Sequence, residues 1–261
     1  MNKYLVYVLT LFFGVVSLVF GEKLKVGVSP VPHGEILEVI KDDLKKQGVE
    51  LEIVEYADYV TPNLSLDDKS IDANYFQHKP YLDSFVASRN LKHKLIALPP
   101  VHVEPIALYS KKVKSIKELK NGAKIAIPND PSNEGRSLIL LAESGLIKLD
   151  KKAGLLGTPK NITSNPKNLQ FSEIDVALLP RVINDFDAVI INGNYALESG
   201  YNPVKDSILI EGTKSPYANF VTVRADDKEK PSIKKLNDSL RSKKVKDFIA
   251  KKYNGGVVAA F

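Results

Sequence analysis

The residues with the most chemical potential lie in a few short stretches of the chain. From Pro128 to Arg136 the sequence reads P-N-D-P-S-N-E-G-R, a polar turn between the apolar strand Ile125–Ile127 and a run of helical spacing ended by Gly145. Asp130, Ser132 and Asn133 are candidate N-caps, and Pro131 has its φ pre-set for a first helical turn. A helix start presents unpaired N–H groups and a partial positive charge, so it favours anions. Arg136 runs against that pattern. Either Glu134 or Asp130 compensates it on a solvated surface, or its guanidinium fork and the loop amides receive a ligand carboxylate two bonds at a time. A second stretch, Asn74–Tyr81, brings Tyr75, Phe76, His78 and Tyr81 together with Asn74, Gln77 and Lys79. Rings bounded by polar groups at a strand end describe the wall of an apolar pocket with polar handles. Such a wall suits a thioether, whose contacts with rings contribute about 0.3–1.5 kcal/mol each. Asn192 and Asn194 flank Gly193 at a strand end, and Asn219 follows Tyr217 in another strand. Asparagine there serves turn chemistry, or offers a ligand both acceptor and donor.

Other chemistries lack their residues. The four histidines, His33, His78, His93 and His102, form no HxxxH or HExxH pair, so no metal centre is expected. No GxSxG, SxxK or glycine-rich phosphate loop occurs, and the pairs Asp67-Asp68 and Asp226-Asp227 sit in turns. The expectation is binding without chemical conversion and without a cofactor. The absence of cysteine excludes disulfides, thiolate zinc sites and a cysteine nucleophile. Net charge is +6, but lysine and arginine are spread from Lys23 to Lys252 with no basic stripe, so nucleic acid is not an expected partner.

The elements that must position these residues follow from periodicity. Leu24–Val28 and Leu51–Val54 read as strands, Glu35–Gln47 as a helix stopped by Gly48, Tyr59–Asp67 as a helix, Ile71–Tyr75 as a strand end and Pro80–Arg89 as a helix. This alternation implies a parallel sheet covered by helices, with ligands beyond the carboxyl ends of its strands. Val101–Tyr109 reads as one long strand leaving that unit. A second unit would hold Ile125–Ile127, Leu169–Ile174, a helix over Val176–Asn184, and Ala188–Ile191; Ser207–Ile210 follows, and Ser215–Arg224 crosses back. Ile233–Tyr253 has the spacing of one or two amphipathic helices. Two lobes result: residues 22–108 with 221–261, and residues 109–220. Residues 1–21, with Lys3 before an apolar run to Phe20 and a small residue at Gly21, read as a secretory signal peptide; the run falls short of the about 18 apolar residues of a membrane span.

A series of blocks in this order resembles the NlpA family, methionine-binding proteins that serve ABC importers. They are Val31-Pro32-His33, Asp58-Tyr59-Val60, Asp72 through Tyr81, His102-Val103-Glu104-Pro105, Asn129 through Arg136, Asn165 through Leu169, Leu179-Pro180-Arg181, Ile191 through Ala196 and Ser215 through Asn219. The resemblance implies a type II periplasmic binding fold: a two-lobed α/β clamshell, each lobe a mostly parallel sheet flanked by helices, joined by two crossover strands. It implies a monomeric receptor that closes on methionine and delivers it to an ABC transporter permease and, through it, the ATPase. It carries ligand-binding roles onto Arg136, Asn219, Asn194, Asn192, Asn133, Tyr75, Phe76, His78, His102 and Tyr217, with Arg136 on the carboxylate and Asn74–Tyr81 as the side-chain pocket. Asn192 and Asn194 are not distinguished, because an alternating strand end points both the same way. Family members are commonly anchored through a cysteine at the cleavage site; without one, this chain is expected free in the periplasm, or held at the membrane by an uncleaved leader. A receptor for another apolar amino acid, a short peptide or a metal, or an exported enzyme on the same fold, is the alternative.

Overall fold

The computed structural model describes residues 21–212 and 215–261; the expected leader lies outside them except for Gly21. Strand and helix alternate from the start: β1 (Glu22–Val28), α1 (Glu35–Lys46), β2 (Val49–Glu55), α2 (Thr61–Asp67), β3 (Ala73–His78) and α3 (Lys79–Ala87). β4 (Leu95–Val103) ends this part. The middle of the chain holds β5 (Ala107–Tyr109), β6 (Lys124–Pro128), α4 (Pro131–Glu143), a small hairpin of β7 (Lys148–Leu149) and β8 (Ile162–Ser164), β9 (Gln170–Ile174), β10 (Ala188–Ile191), α5 (Gly193–Glu198), α6 (Pro203–Asp206) and β11 (Ser207–Ile210). β12 (Ala218–Arg224), α7 (Pro231–Leu240), α8 (Lys243–Tyr253) and β13 (Val258–Ala259) return to the first part.

Two sheets result. The first has the order β13-β4-β12-β3-β1-β2, the second β11-β5-β10-β6-β9. Strands delivered by strand–helix alternation pair in parallel: β1 with β2 and β3, and β6 with β9 and β10. The crossing strands enter antiparallel: β12 between β3 and β4, and β5 between β10 and β11. Most strands of each sheet thus run in one direction, and the antiparallel members are β5 and β12, on the chain's passages between the halves, and the C-terminal β13.

Helix amphipathicity supplies the first core. Ile36, Leu37, Ile40 and Leu44 of α1 pack with Ile233, Leu236 and Leu240 of α7 and Val245 and Ile249 of α8 against β1, β3 and β12. In the second half, β10 is buried on both faces. Val189 and Ile191 pack on Tyr109, Leu179 and Tyr195, while Ala188 and Ile190 pack on Leu138 and Leu141 of α4.

Three elements differ from the sequence reading. The long strand expected over Val101–Tyr109 is two strands in different sheets, broken at Glu104–Ile106, where Pro105 has no N–H for a ladder. Residues 107 and 108 consequently pair in the second sheet, and residues 218–220, read as part of the second lobe, pair in the first. Val176–Asn184 forms successive turns rather than a helix, because Pro180 lacks the amide hydrogen and its ring obstructs the preceding turn. The strand Ala188–Ile191 ends as read, but Asn192 and Asn194, taken as an alternating strand end, belong to a helix start, with Asn192 the N-cap residue of α5.

Candidate functional site

A cavity between the two halves is lined by Tyr59, Phe76, Gln77, His78, Tyr81 and Asn219 from the first part, Glu104 from the crossing, and Asn133, Arg136, Asn192, Gly193 and Asn194 from the second. About 320 Å³ of unfilled space, part of it open to solvent, lies among these residues. Protein–protein hydrogen bonds bridge the halves around it. The Tyr59 hydroxyl donates to Asn194 Oδ1, Tyr195 Oη donates to the Ala57 carbonyl (2.8 Å), and His78 Nε2 meets Asn133 Oδ1 (3.1 Å). The cleft is closed.

β3 builds the aromatic floor, with an irregularity that matters. Opposite β12 the register shifts, so that Phe220 faces Gln77 and Val221 faces Tyr75. Strict alternation fails at this bulge. Phe76, Gln77 and His78 consequently reach the cavity in succession, while Tyr75 turns into the first core and is fully buried. Tyr59 and Tyr81 complete the wall, with ring centroids 5.8 and 6.0 Å from that of Phe76. His78 caps α3: its Nδ1 accepts from the Tyr81 amide, so the ring proton sits on Nε2 and is donated to Asn133. Burial first, and the Arg136 charge second, push its pKa down to about 3, so the ring is neutral.

The polar end is built by α4 and the start of α5. Asp130 caps α4 by accepting from the Asn133 amide, and its other oxygen accepts from Asn133 Nδ2. Asn133 Oδ1 thereby faces His78 and Asn192 Nδ2 (2.9 Å). Asn192 Oδ1 and Asn194 Nδ2 are buried without a partner among the described residues. They present an acceptor and a donor, so the two asparagines are distinguishable after all.

Arg136 lies in the second turn of α4 and is 3% exposed. Neither Glu134 nor Asp130 compensates it, contrary to one sequence expectation. Its Nε and Nη2 donate to the two oxygens of Glu211 (2.9 and 2.5 Å), and Nη2 also donates to the Glu104 carbonyl (2.7 Å). Three of its five hydrogens are used, leaving those of Nη1 without a partner among the described residues. Tyr217, expected to line the cavity, lies under the guanidinium instead, its centroid 4.3 Å from the carbon.

Behind the wall, Tyr75 Oη contacts His102 Nδ1 (2.5 Å), His102 Nε2 contacts Glu104 Oε1 (2.7 Å), and His33 Nε2 lies 3.1 Å from the same oxygen and 3.2 Å from Asn219 Oδ1. Burial pushes His102 down to about 3 and His33 to about 4, so both rings are neutral. His102 then serves Glu104 as an Nε2–H donor, while the Nε2–H of His33 is donated to Asn219 Oδ1. Burial raises the pKa of Glu104, while His33, Arg136 and the Asn194 amide pull it back down. Gly193 allows this carboxylate its place: a Cβ there would lie 2.8 Å from Glu104 Cβ. His33, His102 and Glu104 also bring three potential metal-ligand atoms within 4.8 Å of one another, a grouping that their sequence spacing hides.

Of the residues singled out by sequence, Phe76, His78, Asn133, Arg136, Asn192, Asn194 and Asn219 line the cavity, whereas Tyr75, His102 and Tyr217 stand behind it. Sequence reasoning gave no role to Glu104, Tyr59, His33 or Glu211, and included Tyr81 and Gln77 only as members of the Asn74–Tyr81 pocket wall. Glu104 had a signal, a charge inside the apolar run Val101–Tyr109; Glu211 had none.

The family model described as NlpA lipoprotein matches residues 24–261. The chain belongs to the NlpA lipoprotein family. Among its relatives, the D-methionine-binding lipoprotein MetQ of Escherichia coli (strain K12) is 43% identical over 238 residues, covering 90% of this chain and 87% of that protein. The methionine-binding lipoprotein MetQ of Bacillus subtilis (strain 168) is 42% identical over 241 residues, 91% and 88% of the respective chains. Among solved structures, a nutrient binding protein from Burkholderia cenocepacia bound to methionine superposes with a TM-score of 0.87 at 47% identity, covering 91% of this chain and all of that one. An ABC transporter periplasmic substrate-binding protein from Coxiella burnetii gives 0.86 at 42% identity, covering 91% and 100%. The fold is thus that of the substrate-binding proteins of this family, two α/β lobes around a cleft, and the relatives are binding proteins. Among the described residues, no helix is long and apolar enough to cross a membrane.

Proposed function

We propose that this protein is an exported receptor that captures methionine between its lobes and hands it to the permease of an ABC importer, acting as a monomer and without chemical conversion. The observation that carries the reading is what the cleft between the halves brings together: an aromatic wall of Tyr59, Phe76 and Tyr81, an Arg136 whose Nη1 has no partner among the described residues, and the buried Glu104. A zwitterionic amino acid with an apolar side chain matches that polarity. Its carboxylate is received by Arg136 Nη1, and its ammonium by Glu104 with the amide oxygen of Asn192. Its thioether lies against Tyr59, Phe76 and Tyr81, contacts that favour sulfur near rings. Relatives named for methionine support the choice among apolar amino acids. Because these contacts come from both lobes, the ligand binds the closed state better and shifts the population toward it.

Thermal unfolding tests the reading, on protein denatured and refolded to strip carried ligand, against amino acids, short peptides and divalent metals. Ligand at about a thousand times its Kd adds about 4 kcal/mol, several degrees or more for a chain of this size. A rise with methionine above all other amino acids is expected. A rise with zinc or manganese but none with any amino acid would overturn it and make the His33, His102 and Glu104 cluster the functional site.

A further inference from the structure

We propose that Glu211 is the positioning residue that aims Arg136 at the ligand carboxylate, an inference that rests on the amino-acid reading of the cavity. Glu211 lies just past β11, where the chain begins its return to the first sheet. Its two carboxylate oxygens occupy the Nε–Nη2 edge of the guanidinium, and the second Nη2 hydrogen is taken by the Glu104 carbonyl. Tyr217 covers one face of the group. The guanidinium therefore cannot swing, and it cannot offer an incoming carboxylate a two-pronged edge without giving up a bond to Glu211 or Glu104. Breaking the former would strand a carboxylate that is 11% exposed, which is costly for a buried charge pair. The ligand carboxylate meets Nη1 alone, and the direction of Nη1 is set by Glu211. This replaces the sequence expectation of a bidentate clamp.

The same glutamate joins the two passages between the lobes. Its amide donates to the Ile106 carbonyl (3.0 Å), and its Oε2 accepts from the Ile106 amide (3.4 Å). Arg136, gripping Glu211 on one passage and the Glu104 carbonyl on the other, is fixed against the part of the molecule about which the lobes turn. The ligand's carboxylate thus bonds to a group held at the hinge rather than carried on one lobe alone.

A double-mutant cycle read by calorimetric titration with L-methionine tests the assignment on the full chain, using Glu211→Gln, Arg136→Ala and the two combined, with ligand raised to millimolar concentration where binding is weak. Glu211→Gln keeps the shape but turns one acceptor into a donor facing a donor. It is expected to weaken methionine at least tenfold in the parent background and less than threefold once Arg136 is gone. The same tenfold loss in both backgrounds, or a loss within threefold in the parent, would overturn the assignment and leave Glu211 a structural residue of the crossing. Should Glu211→Gln fail to fold, Glu211→Asp, too short to reach both nitrogens, carries the same comparison with the same criteria. A parent protein that binds no amino acid overturns the ligand reading and this inference together, whereas a methionine-binding parent with an additive cycle overturns the inference alone.

Discussion

Replacing Glu104 by glutamine separates what the site does for a ligand from what it costs the empty protein. Glu104 is 5% exposed, its carboxylate receives the His102 Nε2–H with His33 Nε2 3.1 Å away, and it gives the cleft an anionic group beside the cationic Arg136. Removing one partner of a buried, hydrogen-bonded charge pair costs about 2–5 kcal/mol. The lower part of that range applies, because the amide keeps one acceptor and Asn192 Oδ1 still faces the ammonium. A loss of about 2–3 kcal/mol is about 30- to 150-fold in Kd, at about 1.4 kcal/mol per decade. The stability effect has the opposite sign. The folded pKa of Glu104 is raised, so the stability linked to it is present below the unfolded carboxyl value and lost as pH rises through the folded one. At pH 7.5 the buried charge is therefore a net cost without ligand, and Glu104→Gln should unfold at the same denaturant concentration as the parent or higher. Calorimetric titration with methionine, paired with denaturant unfolding of the ligand-free variant at pH 7.5, reads both. Binding within threefold of the parent, or weakened binding that merely follows a loss of stability, would refute the role given to Glu104.

Two further outcomes follow from the geometry. Gly193→Ala places a Cβ 2.8 Å from Glu104 Cβ, so the site must shift although alanine favours a helix by about 1 kcal/mol over glycine; titration should show at least tenfold weaker methionine binding, and an unchanged Kd would refute the close approach. His33, His78 and His102 are buried with pKa values lowered to about 4, 3 and 3, so the unfolded chain takes up protons first as pH falls below 6.5, and stability present above that value is lost toward pH 4. Three such groups give a slope approaching about 4 kcal/mol per pH unit, and denaturant midpoints that stay level between pH 7 and 5 would contradict their neutrality.

How far the chain disclosed itself depends on whether a signal was local. The alternation from β1 to α3 was legible because each strand is a short apolar run closed by a turn, and each helix shows its buried stripe. The break at Glu104–Ile106 was not, since Val101–Tyr109 keeps strand-like residues on both sides of Pro105 and only pairing partners far along the chain decide which sheet takes which half. Arg136 stood out because a cation early in a helix demands a partner. The partner itself, Glu211, was invisible, because nothing next to it marks a glutamate that will be buried. Tyr75 and Phe76 were equivalent aromatics in sequence. What separates them is the register shift against Phe220 and Val221, a property of two strands together rather than of either one.

That non-local part is also where the function would be set. The bonds that bridge the cleft, from Tyr59 to Asn194, from Tyr195 to Ala57 and from His78 to Asn133, each exchange with water when the lobes part and are worth about 0.5–1.5 kcal/mol net. A few such bonds bias the hinge without locking it. A ligand that joins Arg136 Nη1 to Glu104 and the asparagines adds charge-assisted bonds available only when the lobes meet, and so contributes the difference between the two states that closure requires. The buried but unpartnered atoms, Asn192 Oδ1 and Asn194 Nδ2, make the empty closed form costly, which favours opening until a ligand satisfies them. On this reading, selectivity and closure come from the same unsatisfied atoms, and a variant that satisfies them internally should close more readily while binding more weakly.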